Sequence, residues 1–357
     1  MTGPISLAVI VIARNEEKTI HDSLASCLEA VSLARNSGLL ERGEVVLVDS
    51  ASADRTREIS SHLPVRIIAI PPTWPLSSAA GRFVGLRSTD SNYVLFVDGD
   101  FVLNPPWLCS AIRAFDSPSI AAVCGVDQES LKGESAISRY VDELSRRMVP
   151  DADLVDTQAI PVGLYRRDWI ERAGGIQPFL KGAEDRDLAL RIRMKGGRLL
   201  KTREVMGTHY WSPGADLDLV EYLRSVAHWS YGEGQAARLA NDDPRIREAY
   251  VKRYANARQL AQLLLGFAGL GWGCTVGLAI ALGSPPLLIL CLGGGIGAVV
   301  ATAMGRRESI TESIFRLHQV PYVLVRQGGF LLGLINRPRP ATDYPRAGID
   351  TPRSPAR

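Results

Sequence analysis

The sequence predicts an α/β fold, a mostly parallel sheet with helices on both faces, followed by C-terminal transmembrane helices. Three observations carry that prediction. Near-continuous apolar strands alternate with helical segments over residues 1–240, two of those strands run directly into acidic turns, and the 47 residues between Arg258 and Arg306 contain no charged side chain. Strands that are apolar throughout, rather than alternating, belong to sheets covered on both faces, and their alternation with helices makes the sheet parallel.

Ser6–Ala13 is a solid apolar run, and Glu17–Ala34 has the spacing of an amphipathic helix. Glu44–Asp49 reads as a second strand, Arg55–His62 as a helix, and Val65–Ile70 as a third strand. Ser77–Leu86 is helical, and Tyr93–Val97 is a fourth strand that enters Asp98-Gly99-Asp100. Ligands on such sheets bind beyond the carboxyl ends of the strands, where the turns at Asp49 and Asp98 fall. Pro4–Ile12 carries neither a basic leader nor a cleavage site, so the N-terminus reads as a strand rather than a signal peptide.

The charge-free run suits two spans of about 20 residues each with a tight turn at Gly283-Ser284-Pro285-Pro286. Arg245, Arg247, Lys252, Arg253 and Arg258 precede it, and Arg306, Arg307 and Arg316 follow it. The positive-inside tendency then places both flanks in the cytoplasm. Val320–Ile335 is interrupted by Arg326 and Gly328-Gly329, and is expected to lie in the membrane interface, a third span being the alternative. The expected organisation is a cytoplasmic catalytic domain (1–240), a basic juxtamembrane linker (241–258), a transmembrane hairpin (259–305), an interfacial segment (306–338) and a disordered tail (339–357). A multi-pass protein of the cell (inner) membrane is implied, with membrane lipid as a partner.

Net charge is +3, from 41 basic and 38 acidic residues, which argues against a nucleic-acid-wrapping surface. From Arg306 onward nine Arg face four acids, a local +5. The five Cys are scattered without CxxC or metal spacing, and read as free thiols in a reducing compartment.

Asp98 and Asp100 lie two apart at a strand end, which in extended geometry aims both carboxylates the same way, and Gly99 lets the backbone turn. Such hard oxygen ligands suit Mg2+ or Mn2+, whose shells are commonly completed by phosphate oxygens. Asp49 suits a base or ribose, whereas Asp54 serves equally as a helix cap. Glu184, Asp185 and Asp187 open a helix, where any acid is favoured by the dipole, and Asp185 is the candidate general base. His209 follows the strand Leu199–Val205 and reads either as a metal-side or as a structural histidine. Trp211 and Trp229 are expected to pack, stacking on a sugar being the alternative.

In order and spacing, these motifs resemble family 2 glycosyltransferases with the GT-A nucleotide-sugar-binding fold. The likeness is carried by Val9–Glu17, Val46–Thr56, Ala80–Gly85, Asp98-Gly99-Asp100, Gly163–Arg167, Gly174-Gly175-Ile176 and Glu184–Leu188. The segment His228–Gly234, followed by apolar spans, resembles members that build bacterial exopolysaccharide or lipid-linked glycans.

The resemblance implies that Ala13, Arg14, Asn15, Glu16 and Asp49 hold the nucleoside, with Asp98 and Gly99 at ribose or diphosphate. It further implies Asp100 and His209 on the metal side, Glu184 and Arg82 near the donor, and Asp185 as base of an inverting displacement. The donor implied is a nucleoside-diphosphate sugar, a UDP-sugar by default, and the acceptor is a lipid-linked or other glycan. Arg82 stands where the family often has Ala-Arg-Asn, and that Asn is absent. The second acidic turn, Asp49-Ser50-Ala51-Ser52, departs from Asp-Asp-Gly-Ser. Without a QxxRW motif, single addition is expected over processive synthesis. A sugar-phosphate nucleotidyltransferase is the alternative, opposed by the lack of glycine in Arg14-Asn15-Glu16-Glu17. A catalytically idle membrane scaffold with the same fold is opposed by the intact Asp98, Asp100 and Asp185.

Overall fold

Strand β1 (Ser6–Ala13) is buried from Leu7 onward, as its unbroken run of Leu, Ala, Val and Ile requires. The structure is a computed structural model and describes residues 5–130, 149–160, 162–210, 219–240, 243–254 and 319–345. β1 pairs in parallel with β2 (Arg42–Asp49) on one side and β4 (Tyr93–Asp98) on the other, and β2 pairs in parallel with β3 (Arg66–Ala69). The register sets Ala13 opposite Asp49 and Ile12 opposite Asp98, so three strand ends emerge together.

Between these strands run α1 (Ile20–Asn36), α2 (Thr56–Ser60) and α3 (Ser78–Arg87). Helix α3 lies very close to β1. A Cβ on Gly81 would come within 2.9 Å of Ile12 Cγ2, and one on Gly85 would overlap Ile10. The two glycines therefore set the helix–sheet spacing, and that spacing brings Arg82 to the strand ends.

The other half of the sheet is mixed. β4 is followed in space by β8 (Gly163–Arg166), β6 (Ile120–Glu129), β9 (Arg198–His209) and β5 (Phe101–Leu103), while β7 (Leu154–Asp156) also pairs with β9. β8 is antiparallel to both β4 and β6, β5 and β7 are antiparallel to β9, and β6 with β9 is parallel. The expectation of a mostly parallel sheet thus holds for β3-β2-β1-β4 and is corrected beyond it. The three- and four-residue strands β5, β7 and β8 are too short to show a period, so pairing with long neighbours decides their direction. Helices α4 (Pro105–Arg113), α5 (Arg167–Arg172) and α6 (Glu184–Met194) complete this part. Cys27, Cys109 and Cys124 are buried free thiols.

The chain divides into two compact units, residues 1–222 with 336–357, and residues 223–335. The first unit therefore ends before residue 240, and the chain returns to it at Asn336. In that return, Ala341–Asp343 forms a short 3-10 turn and Tyr344 is 1% exposed. The expectation of a disordered tail from Arg339 is corrected for Arg339–Pro345, because an aromatic anchor fixes an otherwise exposed, proline-rich segment.

The second unit holds most of α7 (Leu219–Leu239), together with α8 (Pro244–Tyr254) and α9 (Gln319–Ile335). α7 and α9 meet through small residues. A Cβ on Gly234 would strike the Phe330 carbonyl, and one on Gly329 would strike Ser230 Oγ. Such spacing lets two backbones approach closely. Leu331, Leu332 and Ile335 of α9 are 55%, 58% and 77% exposed. Trp229, expected to pack, is 38% exposed. The expected hairpin 259–305 lies outside the described residues, and among the described residues no helix is long and apolar enough to cross a membrane.

Candidate active site

The ends of β1 and β2 are laced into one double turn. Asn15 N donates to Ser52 Oγ at 2.9 Å, and Ala53 N donates to Asn15 Oδ1 at 2.8 Å. Glu16 N donates to Thr56 Oγ1 at 2.8 Å, and Glu17 N to Asp54 Oδ2 at 3.0 Å. Asp54 Oδ1 also accepts from Thr56 N at 3.0 Å, so Asp54 serves the turn. Asn15 and Ala51 adopt left-handed conformations, with φ of 60° and 56°. Asn tolerates this region, whereas Ala enters it at a cost that the surrounding bonds must offset. Asn15 therefore shapes the turn through its side chain, and Arg14 is exposed at its rim.

Asp49 ends β2 and is fully buried. Its Oδ2 accepts from Ser52 N at 3.2 Å and lies 3.6 Å from Arg57 Nε. Its Oδ1 is buried and has no hydrogen-bond partner among the described residues. An unsatisfied buried carboxylate oxygen is costly, and a donor on a bound ligand would satisfy it.

At the end of β4 the chain turns at Gly99. A Cβ there would meet Ala13 Cβ at 2.8 Å and Glu16 Cγ at 3.1 Å, so glycine is required by the approach of β1. The turn also separates the two aspartates, which engage different partners rather than acting side by side. Asp98 Oδ1 accepts from Arg82 Nη2 at 2.8 Å, and Arg82 Nη1 donates to Glu184 Oε1. Burial raises the Asp98 and Glu184 pKa values and Arg82 opposes both shifts. Burial lowers the Arg82 pKa, but Asp98 and Glu184 outweigh it and leave the guanidinium firmly charged. Glu184 thus holds Arg82, and is not an open donor contact.

Asp100 is brought to His209, the last residue of β9, by the pairing of Phe101 with His209. β9 extends past the expected Val205, so the histidine belongs to the strand rather than to a loop after it. Asp100 Oδ2 lies 3.1 Å from His209 Nε2, and Glu129 Oε2 lies 3.2 Å from Nδ1. Burial pulls the His209 pKa down, but hydrogen bonds to Asp100 and Glu129 win, and the ring is held well above its ordinary range.

Acidic groups crowd this spot. The Asp127 carboxyl is pushed to about 7 by burial, with Glu129 and Asp98 adding to the rise. Burial likewise lifts Glu16 to about 7, with Asp100 contributing. Among the described residues no group of three or more His, Cys, Asp or Glu side chains is arranged to hold a metal alone. With the His209 ring proton displaced by the ion, His209 and Asp100 would fit a different arrangement, in which the protein supplies two ligands and phosphate oxygens with water supply the rest.

Asp185 lies in the first turn of α6, two residues after the N-cap Ala183, whose φ is 59°. It lines a small pocket with Arg82, Phe96, Tyr165, Ile176 and Leu188. Of the three acids in that turn, Glu184 pairs with Arg82, and Asp187 pairs with Arg191 at 2.7 Å. Arg191 Nη1 also donates to Gly175 O at 2.8 Å, tying α6 to the Gly174-Gly175 turn. Among the described residues, Asp185 is the acid of this turn not committed to an ion pair. Glu129, Asp127 and Tyr165 were not singled out by sequence. The signal for the first two was Val126-Asp127-Gln128-Glu129 closing a strand, the same pattern that marks Asp49 and Asp98.

A sheet with acidic ends on β2 and β4, a histidine closing β9 and a carboxylate at the start of α6 is the arrangement that the resemblance to the GT-A fold led us to expect. The model of the glycosyl transferase family 2 matches residues 8–172, somewhat less than half of the chain. Pre-mycofactocin glycosyltransferase from Mycobacterium tuberculosis is 26% identical over 165 residues, 43% of this chain and 35% of that protein. The O-antigen chain rhamnosyltransferase WbaN of Salmonella anatum is 26% identical over 183 residues, 48% of this chain and 58% of its own length. The similarity therefore spans between about a third and three fifths of these relatives. The solved structure of the mannosyltransferase PcManGT from Pyrobaculum calidifontis, in complex with GDP-Man and Mn2+, shares the fold. Its TM-score is 0.57 at 20% identity, over 92% of this chain and 88% of that one.

Proposed function

We propose that the chain is an inverting, metal-dependent glycosyltransferase that moves a sugar from a nucleoside-diphosphate donor to a hydroxyl of a membrane-associated, polyprenyl- or lipid-linked glycan. The observation that carries this reading is the distribution of three chemistries along one sheet edge. A partnerless carboxylate oxygen of Asp49 ends β2, the Asp100–His209 pair joins the end of β4 to β9, and the uncommitted Asp185 lines a pocket beside Arg82.

In this reading the nucleoside occupies the double turn at Ala13–Glu16 and Asp49, whose Oδ1 accepts from a ring or ribose donor. Asp100 and His209 hold Mg2+ or Mn2+. When bound, that ion supplies positive charge to the diphosphate. Arg82, locked by Asp98 and Glu184, keeps a fixed cation at the donor side without reorganisation. Asp185 takes the acceptor hydroxyl proton as the new carbon–oxygen bond forms and the bond to the diphosphate breaks. The nucleoside diphosphate leaves with the electron pair, and one displacement inverts the sugar carbon. That the relatives bear glycosyltransferase names, and that the Pyrobaculum calidifontis neighbour was solved with GDP-Man and Mn2+, supports a donor of this class.

The membrane-bound acceptor, and placement in the inner membrane with a cytoplasmic catalytic domain, rest on the charge-free 259–305 run, its basic flanks and the exposed apolar residues of α9. The test is transfer from nucleotide sugars in Mn2+ by the full chain in lipid. Asp185→Asn and Asp100→Ala should each lose about 100-fold or more in kcat. Activity near that of the parent in both variants would overturn the assignment.

A further inference from the structure

Tyr344 comes from the far end of the chain, nine residues after α9 ends at Ile335, and is buried in the first unit. Its ring meets three others edge-on. The centroids are 5.8 Å from Trp74, 5.4 Å from Phe83 and 5.6 Å from Phe179. Its hydroxyl donates to Pro75 O at 2.9 Å. Edge-to-face contacts of this kind are directional, so three at once define one position for the ring.

The three partners come from the segments that build the site. Trp74 and Pro75 lead into α3, whose N-cap Ser77 accepts from Ala80 N at 3.1 Å and donates to Pro178 O at 3.2 Å. Phe83 follows Arg82 directly. Phe179 begins the stretch that reaches the left-handed Ala183 and then Glu184 and Asp185. The other side chains of Arg339–Pro345 are exposed or only partly buried, so Tyr344 is its sole buried side chain.

We propose that Tyr344 is a positioning residue, holding the α3 entry and the Phe179–Ala183 stretch together so that Asp185 is presented correctly beside Arg82. The C-terminal segment is then part of the site's scaffold, and acceptor activation depends on its being docked. This rests on the glycosyltransferase reading above, in which Asp185 accepts the acceptor proton.

The test uses the full chain in lipid, with Tyr344→Ala and Tyr344→Phe. Donor affinity and the fraction of donor-competent sites come from calorimetric titration with Mn2+ and the nucleotide sugar. Turnover is expressed per competent site, which removes any loss of folded protein. Tyr344→Ala should lose on the order of 10- to 100-fold in kcat, with donor Kd within about twofold, because misplacement of a reacting group costs rate rather than donor binding. Tyr344→Phe, which keeps the ring, should retain most of the turnover. Peptide-level hydrogen exchange should quicken over residues 176–187 in Tyr344→Ala and stay unchanged over β1. Where Tyr344→Ala does not fold, Tyr344→Leu is measured instead.

Unchanged turnover per competent site, or unchanged exchange over 176–187, overturns the proposal. A parent protein that transfers no sugar overturns the glycosyltransferase reading, and with it Asp185's role. The exchange experiment still decides in that case whether Tyr344 holds the segment.

Discussion

Arg82 and Glu184, 102 residues apart in the chain, form an ion pair with side-chain exposures of only 8% and 5%. Two charges this deeply removed from water are tolerated because each satisfies the other, and Asp98 closes the network from the exposed side. Arg82→Met leaves Glu184 buried and Asp98 without its guanidinium. It should destabilise the protein by about 3–5 kcal/mol. The Arg82→Met, Glu184→Met double variant should recover part of that loss. Chemical denaturation at pH 7 measures both. A single variant within about 1 kcal/mol of the parent would mean that the pair is not maintained in solution.

Glu129 reaches His209 on the nitrogen opposite to the one near Asp100, so it fixes the ring's orientation. Partners of this kind tune a metal-bound imidazole without touching the ion. Glu129→Ala should weaken Mn2+ binding in the presence of UDP or GDP by about 10- to 100-fold. Calorimetric titration of Mn2+ at saturating nucleotide reads the change, and an unaltered Mn2+ affinity would remove Glu129 from the site.

Asp127 provides a pH test in chelated, metal-free buffer. Its carboxyl is raised from 3.8 to about 7, chiefly by burial, while Lys201 and His209 oppose the shift. The unfolded chain ionises near the ordinary value, so between those two pH values the folded protein retains a proton that the unfolded chain has released. Stability must therefore fall as pH rises through that window, and level off above it. Asp127→Asn removes the penalty. Its stability advantage over the parent should grow between pH 5 and pH 8 by on the order of 2 kcal/mol. An advantage independent of pH would show that Asp127 is not buried in this way.

The core of the fold was legible because its signals are local. The apolar runs Ser6–Ala13 and Tyr93–Val97 identify strands by composition alone, and Asp49 and Asp98 follow from their position at strand ends. Helix boundaries shifted by a few residues, α1 beginning at Ile20 rather than Glu17, since the chain bends at the left-handed Asn15 before it can coil. The short strands β5, β7 and β8 were not legible. Glu129 escaped notice because its role depends on the parallel register that sets it opposite His209.

The acids of α6 illustrate the difference most clearly. By helix-start chemistry alone Glu184, Asp185 and Asp187 were interchangeable and Asp185 was only the candidate base; pairing with Arg82 and Arg191 occupies the other two. Tyr344 carried no sequence signal at all, since a lone tyrosine in a proline-rich tail becomes an anchor only when three distant rings form its seat. The sequence by itself determined the four strands of the first half, the acidic edge and the class of ligand such an edge suits, because hydrophobic patterning and turn chemistry act between near neighbours. Only the tertiary structure decided which carboxylates are spent on holding arginines, which oxygen of Asp49 has no partner among the described residues, and where Tyr344 is seated. Those are outcomes of register and packing between segments up to 269 residues apart, and no local pattern encodes them.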